Sequence, residues 1–307
     1  MVAQKKVRRL QFEGANNSRL ALCLIAPVVI YLLLVMLTPI LWAIITSMQN
    51  KNRTEFVAFE NYAWIFTNRS AWRSFSNALG NTLVYTLFCV GGKVLLGVII
   101  ALVLNQQIKG RNLYRALLLL PWTIPTVTSV FTWRWLYSDV GGVLSYLLQV
   151  SGFTTERVEW LATNNTAMLS CILVNVWRGA PFIGISVLSA LQTIPHSLYE
   201  AARIDGANAP RQFHSITLPY IKDVLGMSSL VTTIWTLNDF EMVWLLTRGA
   251  PAYATELLSL YSYRVGFSNG NLPRAIAVSF MFFPVVIAMV AVFTNRSLRK
   301  ESDFAGG

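Results

Sequence analysis

Six long stretches of this 307-residue chain are apolar with few breaks, and polar segments separate them. They run near Leu20–Ser47, Thr82–Leu104, Arg115–Leu136, Ala167–Leu191, Lys222–Leu246 and Ala275–Thr294. A helix of roughly 20 mostly apolar residues spans the hydrocarbon core of a bilayer, so each stretch predicts one transmembrane helix. Together they predict an all-α membrane protein with a six-helix domain over residues 20–294. The second, fourth and fifth stretches are interrupted by polar residues, which lipid-facing helices avoid. The connections reach only around thirty residues, so no soluble domain fits between the spans.

Composition agrees. The chain is 54% hydrophobic and 13% charged, where a soluble domain carries about a quarter charged residues. The formal net charge of +11 would raise nucleic acid as a partner in a soluble protein. Here many Lys and Arg lie between the apolar runs, so membrane topology explains them and no nucleic acid is expected. Segments 1–19, 105–115, 192–222 and the tail 295–307 hold 14 basic residues, against 8 in segments 49–81, 138–166 and 247–274. The positive-inside rule then puts both termini in the cytoplasm. The basic stretch Lys5, Lys6, Arg8, Arg9 and Arg19 precedes an apolar run too long for a removable signal peptide. It reads as a retained first helix.

Trp42, Trp64, Trp72, Trp122, Trp133, Trp135 and Trp160 lie near span ends or in external loops, as interfacial aromatics do. Cys23, Cys89 and Cys171 each sit inside an apolar run, with neither disulfide nor metal spacing. They read as small buried hydrophobes, and no metal site is expected.

The most informative segment follows the fourth span. Glu200, Ala201, Ala202, Arg203, Ile204, Asp205 and Gly206 are followed, nine residues later, by Ile216, Thr217, Leu218 and Pro219. The pattern predicts two short helices around a turn. Pro195 ends the transmembrane helix, Ser197 caps the next, and Glu200 three residues on completes a capping box. The alanines offer a close-packing face. Gly206 supplies a C-terminal turn that a β-carbon disfavours, and Pro219 starts the next span.

This segment resembles the EAA loop of bacterial ABC importer permeases: Glu-Ala-Ala, three residues, Gly, nine residues, Ile-x-Leu-Pro. Every fixed position is matched. The resemblance extends to Arg115–Pro125, Trp177–Phe182 and Leu245–Pro251, which look like the maltose-type and glycerol-phosphate-type sugar permeases, more narrowly the first of their two permease subunits. The large periplasmic insert of the maltose permease has no counterpart here. The resemblance implies a type I ABC importer permease fold in the bacterial inner membrane. It also implies a second homologous permease, two copies of a cytoplasmic ATPase and an external solute-binding protein. In the family this loop docks on the ATPase. The residues so implied are Glu200, Ala201, Ala202, Asp205, Gly206, Ile216, Leu218 and Pro219. No phosphate-binding loop of the Gly-x-x-x-x-Gly-Lys-Ser/Thr type occurs in the chain, so ATP is expected to be used by the partner and no cofactor by this subunit.

Polar groups at membrane depth mark a candidate pathway. Thr232, Trp235, Thr236 and Asp239 stand at i, i+3, i+4 and i+7, one helix face. An aromatic plate beside hydrogen-bonding groups suits a sugar. These positions resemble a sugar-contacting stretch of the maltose permease, and Arg178, Gly179 and Phe182 resemble the other. Gly179 and Pro181 are expected to loosen the fourth helix. Two departures from the maltose pattern are Arg178 and Asp239. They leave two readings open: Arg178 grips an anionic sugar, or it pairs with Asp239 around a neutral one. For the threonines the alternative is bonding to their own helix, and for Trp235 and Phe182 it is packing on a neighbouring helix. Lys93 has no counterpart in the resemblance, and is expected to pair with a carboxylate or face a partner subunit.

Two other classes compete. An ion-coupled secondary transporter would suit the intramembrane charges but predicts internal repeats and leaves the loop unexplained. A membrane-embedded enzyme would want clustered His, Cys or carboxylates. His196 and His214 flank the loop without such company.

Overall fold

The computed structural model describes residues 16–106 and 109–305, with side chains from residue 22 to 292 apart from 107–108. Most of the predicted basic segment 1–19 lies outside the described residues, as do the side chains of the tail 295–307.

All six apolar stretches are helical, but two are broken. α1 (Asn16–Ser47) turns nearly all its described side chains outward. Cys23 is exposed with them, contrary to the expected burial, because α1 packs along little but the last helix. A short α2 (Glu60–Thr67) leads into α3 (Arg69–Asn105). At 37 residues α3 is about 55 Å long and starts well before the predicted Thr82. Asn68 caps it by accepting from the Ala71 amide at 2.9 Å.

The third stretch is two helices, α4 (Arg111–Thr123) and α5 (Thr126–Leu136), bent by 92°. Pro125 follows Ile124, and the residue before a proline is pushed out of the helical region; Ile124 sits at φ −69°, ψ 134°. After α6 (Val143–Val150) comes α7 (Asn164–Leu191), the fourth span, capped by Thr163. The expected loosening does not occur: α7 is continuous through Gly179 and Pro181, and ends before Pro195.

The predicted two-helix element is present as α8 (His196–Ile204) and α9 (Ala209–Gln212). Its start differs from expectation. Pro195 occupies the N-cap, so Ser197 already lies inside the helix and neither it nor Glu200 caps the end. The other end follows expectation. Gly206 has φ +76°, its amide donates to the Arg203 carbonyl at 3.0 Å, and the Ala207 amide donates to that of Ala202 at 2.8 Å. This paired closure is a Schellman turn. A wide helical turn (Phe213–Thr217) then feeds α10 (Leu218–Leu237), with Pro219 in its first turn.

α10 stops before the predicted Leu246. Asn238 closes it, and α11 (Glu241–Leu246) follows after a break. Tertiary bonds hold the break open: the Asp239 carbonyl accepts from Ser259 Oγ at 2.7 Å. α12 (Leu258–Tyr263) continues as a wide turn (Arg264–Ser268), and α13 (Leu272–Ala305) closes the fold, running past the predicted Thr294. Among the described residues four helices are long and apolar enough to cross a membrane, or five if the bent pair α4–α5 counts as one span. Lys222 and Asp223, with the serines and threonines, lower the hydropathy of α10 and leave it outside that set.

α3 packs along α7, and α10 lies on both. Small residues allow the approach: a β-carbon on Gly97 would stand 2.7 Å from Ile183 Cγ2 and 3.0 Å from the Gly184 amide nitrogen. One buried cluster joins Ala101, Ile183, Val187 and Ile221 across these helices. A second gathers Tyr85, Cys89, Cys171 and Met242, with Trp133 and Trp160 packed against it. Outside the spans, Arg264 grips Glu256 with two bonds of 2.7 and 2.9 Å, and the Glu256 carboxylate raises the guanidinium pKa further.

Candidate functional site

The polar residues of the second, fourth and fifth stretches meet at one place. α3, α7 and α10 enclose a cavity of about 420 Å³ lined by Lys93, Trp122, Asn175, Arg178, Gly179, Phe182, Thr232, Trp235, Thr236 and Asp239. All seven predicted pathway residues are among them. Thr232, Trp235, Thr236 and Asp239 stand out by polarity and helical spacing, Arg178 by its charge at membrane depth, and Gly179 and Phe182 by the resemblance to the maltose permease.

Asp239 reaches the cavity by a different route than expected. It lies beyond the end of α10, so the i, i+7 relation to Thr232 does not hold as helix geometry. Its Oδ2 accepts from Tyr85 Oη at 2.7 Å and from Asn175 Nδ2 at 2.9 Å. Hydrogen bonds to a charged acceptor are worth about 1.5–3 kcal/mol each, so neutral donors from α3 and α7 satisfy this carboxylate. Arg178 is not its partner.

Lys93 also departs from expectation. It is buried, and its Nζ donates to Thr236 Oγ1 at 2.9 Å and Thr232 Oγ1 at 3.4 Å, not to a carboxylate. Thr236 Oγ1 in turn donates to the Thr232 carbonyl at 2.6 Å. The bond to its own helix and the polar role therefore coexist. Gly179 opens the path for the lysine stem: a β-carbon there would meet Lys93 Cε at 2.5 Å. Pro181 has no amide hydrogen for the Trp177 carbonyl, so that acceptor is freed without breaking α7.

Aromatic rings share the lining. Phe182 lies 5.1 Å from Trp235 and 6.3 Å from Trp122, measured between ring centroids. Trp235 and Trp122 are about half exposed, so each packs on Phe182 and still offers a face. Trp122 was expected at the membrane interface. α4 packs on α7, which sets Trp122 against Phe182. Sequence reasoning missed Asn175, Trp122 and the partnership of Lys93. Asn175 stands three residues before Arg178 on α7, a helical spacing that would have flagged it.

Two buried atoms in this lining have no hydrogen-bond partner: the donor Arg178 Nε and the acceptor Asn175 Oδ1. Burying such groups unpaired is costly. The cavity is thus suited to a solute that brings both acceptors and donors.

Away from the cavity, the loop residues are arranged as two surfaces. Glu200, Ala201, Asp205, Gly206 and Pro219 are exposed, Ala202, Ile216 and Leu218 are half-buried, and Ile204 is 87% exposed. Tyr199 Oη and Thr217 Oγ1 share a 2.8 Å hydrogen bond that ties α8 to the base of α10. Force on α8 would therefore reach the helix that carries Thr232 and Trp235.

Residues 93–299 match the family described as binding-protein-dependent transport system inner membrane component. The trehalose/maltose transport system permease protein of Thermococcus litoralis is 31% identical over 282 residues, covering 91% of this chain and 93% of that protein. The sulfoquinovosyl glycerol transport system permease protein of Agrobacterium fabrum is 31% identical over 287 residues, covering 92% and 91%. Among solved structures, a chain of a bacterial ABC transporter involved in the import of the acidic polysaccharide alginate superposes with a TM-score of 0.78. It is 23% identical and covers 92% of this chain and 96% of its own.

Proposed function

The chain belongs to the family of binding-protein-dependent transport system inner membrane components and is an ABC importer permease of the type I fold; on that footing we propose that it carries a sugar, an oligosaccharide or a sugar derivative across the membrane. The family is one of transport subunits, not of catalysts. The observation that carries the cargo reading is the cavity itself. It brings the Phe182, Trp235 and Trp122 rings together with Lys93, Arg178, Asn175 and Asp239 in one lining. Sugars present apolar C–H faces to aromatic rings and hydroxyls to polar groups, so both kinds of group have a use. Relatives transport trehalose/maltose, sulfoquinovosyl glycerol and diacetylchitobiose, by their names.

In this reading a second permease completes the pathway, an external binding protein delivers the sugar and two ATPase subunits drive the cycle. The exposed α8 with Glu200 and Gly206 is the ATPase-facing element. Both termini are cytoplasmic, and α10 is the fifth of six spans in chain order. The assembled importer in proteoliposomes, supplied with binding protein outside and ATP inside, tests the cargo. ATP-dependent uptake of a labelled mono- or oligosaccharide is expected, lowered several-fold by Trp235→Ala. Uptake of amino acids or metal ions but of no sugar would overturn the reading.

A further inference from the structure

Resting on the sugar-import reading above, we propose that the cargo is an acidic sugar whose anionic group is received by Arg178. The cavity lining holds two cations, Lys93 and Arg178, and one carboxylate, Asp239, so it carries one formal positive charge in excess. The carboxylate is already satisfied by Tyr85 and Asn175. Lys93 is fixed between the threonines of α10. Arg178 is left with a buried Nε and no ion pair. A guanidinium stays charged at any physiological pH, and one at membrane depth without a counter-charge is costly. An anion on the cargo removes that cost, and the planar fork of Arg178 matches a carboxylate or sulfonate bidentately. The unpaired Asn175 Oδ1 needs a donor, which the anion lacks and a sugar hydroxyl supplies. The two orphaned atoms thus ask for both parts of one molecule.

The test uses the complete importer in lipid nanodiscs, with the tryptophan emission of the cavity as the readout. Glucose, glucuronate and glucose-6-sulfonate are titrated as probes that share a ring and differ in charge. The acidic probes are expected to bind roughly tenfold tighter than glucose, as one charge-assisted hydrogen bond more than allows. Added salt should narrow the gap, Arg178→Gln should abolish it, and Arg178→Lys should keep part of it. Equal binding of the three probes by the wild-type importer would overturn the charge inference and leave the sugar reading standing. So would dissociation of the complex by Arg178→Gln together with such equal binding, which would make the arginine an interface group. Binding of sulfate or glutamate in the absence of any sugar binding would instead overturn the sugar reading itself.

Discussion

The side chain of Lys93 crosses α7 over Gly179, so closely that a β-carbon on Gly179 would stand 2.5 Å from Lys93 Cε and 3.1 Å from its Nζ. The glycine and the buried lysine form one device. It delivers an ammonium from α3 to the hydroxyls of α10, across the bare backbone of Gly179 on α7.

Gly179→Ala should push Lys93 off Thr236 and cost about 1–3 kcal/mol, as overpacking of a tight core does. Thermal unfolding of the purified importer measures it. Shortening the lysine in the double variant Gly179→Ala, Lys93→Ala should recover part of the lost packing relative to the sum of the single changes. Strict additivity would mean that the two residues do not share this space.

Arg178 and Asp239 line one cavity yet have separate partners. Neutralising both, in Arg178→Gln with Asp239→Asn, should therefore rescue neither assembly nor uptake. Double-mutant coupling should stay well below the 3–5 kcal/mol loss that follows when one partner of a buried ion pair is removed. Recovery in the double variant would establish a direct pair.

Gly206 has φ +76° and open space around it. A substitution there meets strain without a clash. Gly206→Val should cost about 1–2 kcal/mol in the turn, while Gly206→Asn, which tolerates the left-handed region, should cost less. ATPase co-purification and ATP-driven uptake should fall in that order. Wild-type levels of both with valine would remove the turn from the coupling element.

Cysteine scanning from outside intact cells tests the orientation. Thr155 and Ala252 are exposed and should label, whereas Asn112 and Ala209, also exposed, should not. Asn61 is a poor reporter, because its amide is buried and donates to the Ser47 and Gln49 carbonyls at 2.9 and 2.7 Å. Labelling of Ala209 in sealed cells would reverse the topology.

Much of this protein was legible along the chain. Long apolar runs have few solutions in lipid other than helices, so the all-α class and the six helical stretches followed from hydropathy alone. The Glu200–Pro219 pattern identified the two-helix loop and the left-handed Gly206, since turn chemistry is local. The expense of polar groups in a membrane picked out Arg178, Thr232, Trp235, Thr236 and Asp239 before any contact was known. Tertiary structure alone decided how they are paired. Whether Asp239 meets Arg178 or Tyr85 depends on the rotation and depth of three helices, which periodicity does not encode. The break after Leu237 is held by Ser259, twenty residues beyond the Asp239 carbonyl that it binds. The place of Trp122 depends on the packing of α4 on α7. Hydropathy reports how much each residue avoids lipid; it is the close passage of Lys93 over Gly179, a matter of ångströms between distant segments, that determines which polar group answers which.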